Sequence, residues 1–193
     1  MSTWISKAAA LLCALALAAC QVEGGFGTTR TAPVLNGALS VAVPSGYCVD
    51  RGASREKGDS AVVIMGRCSD TASVSAALIT VAVGQGGSAG VMTAGGPALA
   101  AFFTSSQGRA TLSRDGRARD IRVIEAIGAG DALLLHLTDR EVGEYWRGVV
   151  GVKGRLVTVS ATGTPGVPLS PAEGRKLIDR LLAAMASANR GGV

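Results

Sequence analysis

The 193-residue chain is predicted to form an α+β domain. The expected architecture is an antiparallel sheet of about six or seven strands covered by helices, in the order β-β-β-α-β-β-β-β-α. Three observations carry that expectation. Seven short apolar runs of strand composition are spread between residues 39 and 161. The last four of them, 121–127, 131–138, 145–152 and 155–161, are joined by links too short for a crossover, so they must meander. Two segments, one after Pro97 and one after Ser170, carry helical spacing instead.

Each element has its own signal. Gln21 to Leu35 is rich in Gly and Thr without an apolar period, which reads as a flexible tether. Leu39, Val41 and Val43 alternate with small residues, as a half-buried strand does. Pro44-Ser45-Gly46 breaks that strand, Tyr47–Asp50 can resume it, and the polar, Gly-flanked stretch 51–60 reads as a connection. Ala61–Arg67 and Ala76–Val83 are the next strands. Residues 84–96 form a glycine-rich loop. Pro97 suits a first helical position, where its missing N–H costs nothing. Leu99, Phe102 and Phe103 then give one apolar face. The segment from Ala98 to Arg114 reads as one broken helix or two short ones, with Gly108 as the interruption. Gly128-Ala129-Gly130 links the first pair of the later strands, and Lys153-Gly154 is a tight hairpin signal for the last pair. The final helix has Ser170 as cap, Pro171 in its first turn and Glu173 completing a capping box. Leu177, Ile178, Leu181, Leu182 and Met185 share one face of it, and Arg175, Lys176, Asp179 and Arg180 the other.

The amino-terminal segment has the layout of an export signal. Lys7 precedes an apolar run from Ala8 to Ala19, too short to span a hydrocarbon core that needs about 20 helical residues. The run ends Leu17-Ala18-Ala19-Cys20, which resembles the lipobox of bacterial lipoproteins. That resemblance implies a diacylglycerol on the Cys20 thiol, cleavage before Cys20 and acylation, typically by palmitate, of the new amine. Two or three chains hold stably where one holds marginally. Gln21 stands where an Asp often retains such proteins at the inner membrane, which implies the outer membrane, on its periplasmic face. The expected division is a signal peptide over 1–19, a tether over 20–35 and a single α+β domain over 36–190. At the level of element order this domain resembles the PsbP-like fold, which lipid-anchored and extrinsic proteins share.

In that setting Cys48 and Cys68 are an even pair in an oxidising compartment, so a disulfide is expected. It would close a loop of about 20 residues and contribute about 3 kcal/mol in the chain-entropy account. A simple hairpin turning near residue 55 would put Cys48 opposite residue 62, about 20 Å along the strand from Cys68. The disulfide and that hairpin therefore conflict. A parallel alignment of 41–48 with 61–68, or a fold-back of Tyr47–Asp50, would resolve the conflict. The formal charge of +5 is mildly basic and includes Lys7. It lacks the concentrated stripe of a nucleic-acid binder, and no nucleic-acid partner is expected.

Candidate chemistry is sparse. Gly86-Gly87-Ser88-Ala89-Gly90 matches the nucleophile-elbow pattern of hydrolases, and Asp115, Asp120 or Asp131 and then His136 follow in chain order. The elbow needs a helix starting right after its serine, whereas more glycines and Pro97 follow here. His136 sits mid-strand between leucines. Gly84-x-Gly86-x-x-Ala89 is close to a dinucleotide fingerprint without its βαβ unit. No metal site and no cofactor are expected: His136 lacks ligand partners, and Asp139, Glu141 and Glu144 lack calcium-loop spacing. Arg109, Arg114, Arg117, Arg119 and Arg122 cluster and could meet anionic lipid headgroups or an acidic envelope protein. The expected function is a non-enzymatic accessory or binding role in the cell envelope. The alternatives are a periplasmic serine hydrolase using Ser88, Asp131 and His136, and a small-ligand carrier with its ligand in the sheet–helix groove.

Overall fold

Residues 30–190 are described by a computed structural model. The chain begins with a short hairpin, β1 (Arg30–Val34) and β2 (Leu39–Val43), turned through Leu35, Asn36 and Gly37. β3 (Tyr47–Lys57), β4 (Ser60–Arg67) and β5 (Ala77–Val83) follow. A 3-10 turn over Ser88–Ala94 then leads into α1 (Gly96–Thr104) and α2 (Ser106–Leu112). A second 3-10 turn, Ala118–Asp120, precedes β6 (Ile121–Ala129), β7 (Ala132–Asp139), β8 (Gly143–Val152) and β9 (Arg155–Gly163). α3 (Pro171–Asn189) closes the fold.

Strands β3 to β9 make one antiparallel sheet in the spatial order β3-β4-β5-β9-β8-β7-β6. The expected α+β class and the meander β6–β9 are both present. Lys153 and Gly154, at φ 47° and 75°, form the β8–β9 turn, the doubly positive geometry that matches strand twist.

Side-chain alternation gives the sheet two unlike faces. One face carries Val63 and Met65 of β4, Ile79 and Val81 of β5, Val157 and Val159 of β9, and Trp146 of β8. α3 lies on it with Leu177, Ile178, Leu181 and Met185 buried, and the β1–β2 hairpin completes the cover. The α3 cap forms as its sequence indicates: Ser170 Oγ accepts from the Glu173 N–H at 3.3 Å and donates to its carboxylate at 2.7 Å. At the far end, Asn189 bonds both the N–H and the carbonyl of Ser40, at 3.0 and 2.8 Å. That pair fixes the hairpin to the last turn of α3.

The opposite face carries Leu133, Leu135 and Leu137 of β7 with Tyr145 and Val149 of β8, and α1 and α2 cover it through Leu99 and Leu112. This cover reaches only one side of the sheet. Leu78 of β5, on the same face, is 41% exposed.

Four local expectations need correction. The tether region contains β1, which is paired throughout with β2. The polar stretch 51–57 is strand rather than connection, because β3 is an edge strand and charged residues suit its open side. The disulfide and the hairpin coexist. β3 turns into β4 at Gly58-Asp59, three residues later than supposed, and a bulge between Asp50 and Arg55 sets Cys48 opposite Gly66. Cys68 is then two residues away, and Cys48 and Cys68 are bonded with Cα atoms 4.9 Å apart. Neither the parallel alignment nor the fold-back is needed. Last, the helical break falls at Ser105, whose hydroxyl caps α2 by accepting from Gly108 N at 3.1 Å. Gly108 itself is buried within α2, against the end of α1.

Candidate functional site

The expected site residues divide by face. Ser88 starts the 3-10 turn that packs on the α1 side of the sheet, where Ala89 and Met92 meet Gly151. Its hydroxyl is committed to the backbone, donating to Gln85 O at 2.5 Å and accepting from Leu156 N at 2.9 Å. His136 lies on the α3 face. Its ring stacks on Trp146 at 4.4 Å, and Nε2 sits 2.8 Å from Glu144 Oε1. Arg175 of α3 covers the Trp146 ring 5.0 Å from its centroid. Asp131 is in the β6–β7 turn, five residues from His136, or about 17 Å of extended strand. Ser88 and His136 are thus on opposite faces of one sheet, and no triad is assembled. His136 is one layer of a stack that joins β7, β8 and α3.

The glycine loop has a structural partner. Gly86 N donates to Asp59 Oδ2 at 2.8 Å, while Arg155 pairs with Asp59 Oδ1 and donates to Gly84 O at 3.0 Å. The Arg155 hydrogen bond, reinforced by that from Gly86, holds the Asp59 carboxyl below its ordinary range. A β-carbon on Gly84 would meet Ser88 Oγ at 2.6 Å. The glycines let this loop lie against β9, so the dinucleotide pattern is accounted for by packing. Among the described residues, no three His, Cys, Asp or Glu side chains cluster with metal-binding geometry. Asp139 instead accepts from the backbone of Glu141 and Val142 at 2.7 and 3.3 Å, closing its own turn.

The arginine cluster separates into neutralised and free members. Arg117 bonds Asp115 at 2.7 Å and Asp120 at 2.6 Å, and that contact with Arg117 lowers the Asp120 carboxyl. Arg114 lies 3.9 Å from Glu141. Arg109 donates to Thr104 O at 2.8 Å, securing the end of α1. Arg109, Arg119 and Arg122 line one depression of about 240 Å³ beside β6. None of these three has a salt-bridge partner among the described residues. Cys20 lies outside the described residues, as do the other residues of the lipobox.

One feature has no local sequence motif. Between the 3-10 turn, α1, α2 and the faces of β8 and β9 lies a cavity of about 620 Å³. Val91, Leu99, Phe102, Leu112, Val149 and Leu156 supply most of its wall, and Arg147 is its only charged side chain. Val91 and Phe102 are 51% and 38% exposed. Arg147 is the available signal, an arginine on an otherwise apolar face of the YWRGVVGV strand. The residues around it come from two separate stretches, 91–112 and 147–158, so no local pattern announces the cavity. Burial holds the neighbouring Tyr145 hydroxyl above its usual range, so it stays neutral.

No protein-family profile matches the chain, and no curated protein matches it. Among solved structures, the Saccharomyces cerevisiae Ran-binding protein Mog1p is similar at 13% identity and a TM-score of 0.44. The match covers 83% of this chain and 94% of that one. A point mutant of the protein Mog1 has the same coverages, 12% identity and a TM-score of 0.41.

Proposed function

We propose that this chain is a lipid-anchored envelope protein, held by Cys20 to the outer membrane with its α+β domain in the periplasm, and that its role there is binding rather than catalysis. The observation that supports the reading best is the Cys48–Cys68 disulfide. Such a bond persists in oxidising compartments and is rare where thiols are kept reduced. Anchoring would leave Arg109, Arg119 and Arg122 to meet anionic headgroups or an acidic envelope partner. The separation of Ser88 from His136 across the sheet weighs against the hydrolase alternative.

Metabolic labelling with radioactive palmitate tests the anchor. The wild-type chain should incorporate label and fractionate with outer membranes, and Cys20→Ser should do neither. Absence of label from the wild type, or membrane retention of Cys20→Ser, would remove the reading.

A second reading, a small-ligand carrier, is favoured by one observation: the apolar cavity between α1 and the sheet, whose volume of about 620 Å³ falls within the roughly 300–1,000 Å³ of small-molecule sites.

A further inference from the structure

The α1 cavity has a single charged wall residue, and its geometry specifies what would fill it. Arg147 projects from the middle of β8, between Leu135 of β7 and Ser160 of β9 in the same cross-strand row. Nε donates to Ser160 Oγ at 2.9 Å, and the guanidinium carbon lies 5.6 Å from the centre of the Tyr145 ring. Ser160, 8% exposed, is thus spent on orienting the arginine. The two Nη groups have no hydrogen-bond partner among the described residues, and no carboxylate pairs with them. They are not sealed in, since among the described residues the one buried side-chain donor without a partner is Trp146 Nε1. A guanidinium with a fixed Nε and two unpaired Nη groups is a ready donor to an anionic head.

The rest of the wall matches a hydrocarbon chain. Besides Arg147 the polar lining is two threonines, and Thr111 already donates to Gly108 O at 2.7 Å. The floor is made by β8 and β9, both central in the sheet and paired on both sides. It therefore offers an extended peptide no free backbone edge. An occupant here must be apolar along its length and anionic at one end.

We propose that this cavity binds a single-chain anionic amphiphile, with Arg147 holding the head and the α1–α2 layer covering the chain. The assignment rests on the carrier reading and narrows it to a ligand class. A fatty carboxylate and a monoalkyl phosphate share the required chemistry.

The test is photolabelling of the full chain in its membranes with two diazirine probes, a dodecanoate and the matching dodecanol. Crosslinked peptides are located by mass spectrometry. Both probes partition into lipid, so the informative quantity is the ratio of carboxylate to alcohol labelling at cavity residues. In the wild type that ratio should favour the carboxylate. Arg147→Gln should lower it about tenfold, while Arg147→Lys, which keeps the charge without the planar fork, should lower it less. Alcohol labelling of the same peptides in Arg147→Gln shows that the variant is folded. Unlabelled dodecanoate and dodecyl phosphate, used as competitors, assign the head to whichever displaces the probe at lower concentration. An unchanged ratio in Arg147→Gln, with the cavity still labelled, would overturn the role of the arginine and leave an apolar carrier. Labelling of no cavity residue by either probe would overturn the site and the carrier reading together, and the palmitate experiment on Cys20 would be unaffected.

Discussion

Replacing Gly108 by alanine sets two physical effects of opposite sign against each other. In an ordinary helix interior, alanine is favoured over glycine by roughly 0.5–1 kcal/mol because glycine loses more backbone freedom on folding. Gly108 lies where α2 crosses the end of α1. A β-carbon there would fall 2.6 Å from the Phe102 carbonyl carbon and 2.7 Å from Phe103 Cα, and would also strike the Phe102 oxygen. All three atoms are backbone, so no side-chain rotation relieves the contact. The two helices must separate by the better part of an ångström, stretching the Ser105 cap at Gly108 N and exposing Leu99 and Leu112. Overpacking of that kind typically costs about 1–3 kcal/mol and tends to the upper end when nothing can repack. After the propensity gain, a net loss of about 2 kcal/mol is expected, or roughly 4–8 °C in Tm for a domain of this size. Thermal unfolding followed by circular dichroism reads it directly. Gly174→Ala in α3 is the matched control, because there the β-carbon would meet Leu169 and Trp146 at 3.4 Å, an ordinary contact. That variant should be neutral or up to about 1 kcal/mol more stable. If Gly108→Ala also raised Tm, the close approach of α1 and α2 would be refuted.

Three further outcomes are expected. Removing both Cys48 and Cys68 should cost about 3 kcal/mol for a loop of this length, read as a lower denaturant midpoint that added reductant no longer changes. Ser88→Ala should cost about 1 kcal/mol by removing the bridge between Gln85 O and Leu156 N, and a fluorophosphonate should label neither variant nor wild type; labelling of the wild type alone would restore the hydrolase. Asp59, Asp120 and Glu173 are all held below the usual carboxylate range, by Arg155, Arg117 and Ser170 respectively. Their contribution is fully present above the unfolded pKa of about 4 and is lost as pH falls through the lower folded values. Urea midpoints should therefore stay level from pH 7 to about 5 and decline below about 4 where these groups dominate; a decline between 7 and 5 would contradict the assignment.

The elements that could be read from sequence are those whose burial is periodic. β4 and β5 alternate because one face meets α3, and α3 carries its apolar stripe and cap together. β6 to β9 follow from short links that leave antiparallel pairing as the only option. The elements that were missed lack such a stripe. β1 reads RTAPV, and its partner is a single strand outside the main sheet, so only Val34 is fully buried. The second half of β3 is an open edge, where charge is an advantage and looks like loop. Gly108 reads as a local breaker, but its reason is contact with a neighbouring helix, which a one-dimensional pattern does not contain. Of the candidate site residues, the cysteine pair is legible because two cysteines remain beyond the export-like segment, an even number that points to a disulfide. Ser88 and His136 matched a motif in order but not in space. The α1 cavity had no motif at all, only an arginine on a strand face that alternation marks as apolar.

The two faces of the sheet connect the stability experiment to the ligand experiment. The α3 face is closed by a nineteen-residue helix and by a hairpin tied to it through Asn189 and Ser40. The other face is covered in part by two helices of nine and seven residues that meet closely at Gly108. Those short helices are also the roof of the Arg147 cavity. Parting α1 from α2 should therefore shift the cavity wall at Phe102 and Leu112 while leaving Arg147, held from β8 and β9, in place. Gly108→Ala should then reduce labelling by the dodecanoate and dodecanol probes alike, with their ratio unchanged. Arg147→Gln should change the ratio and spare the alcohol. Two variants failing in these different ways would locate chain and head in separate parts of one site; a common loss of ratio would mean that the arginine depends on the helical roof for its position.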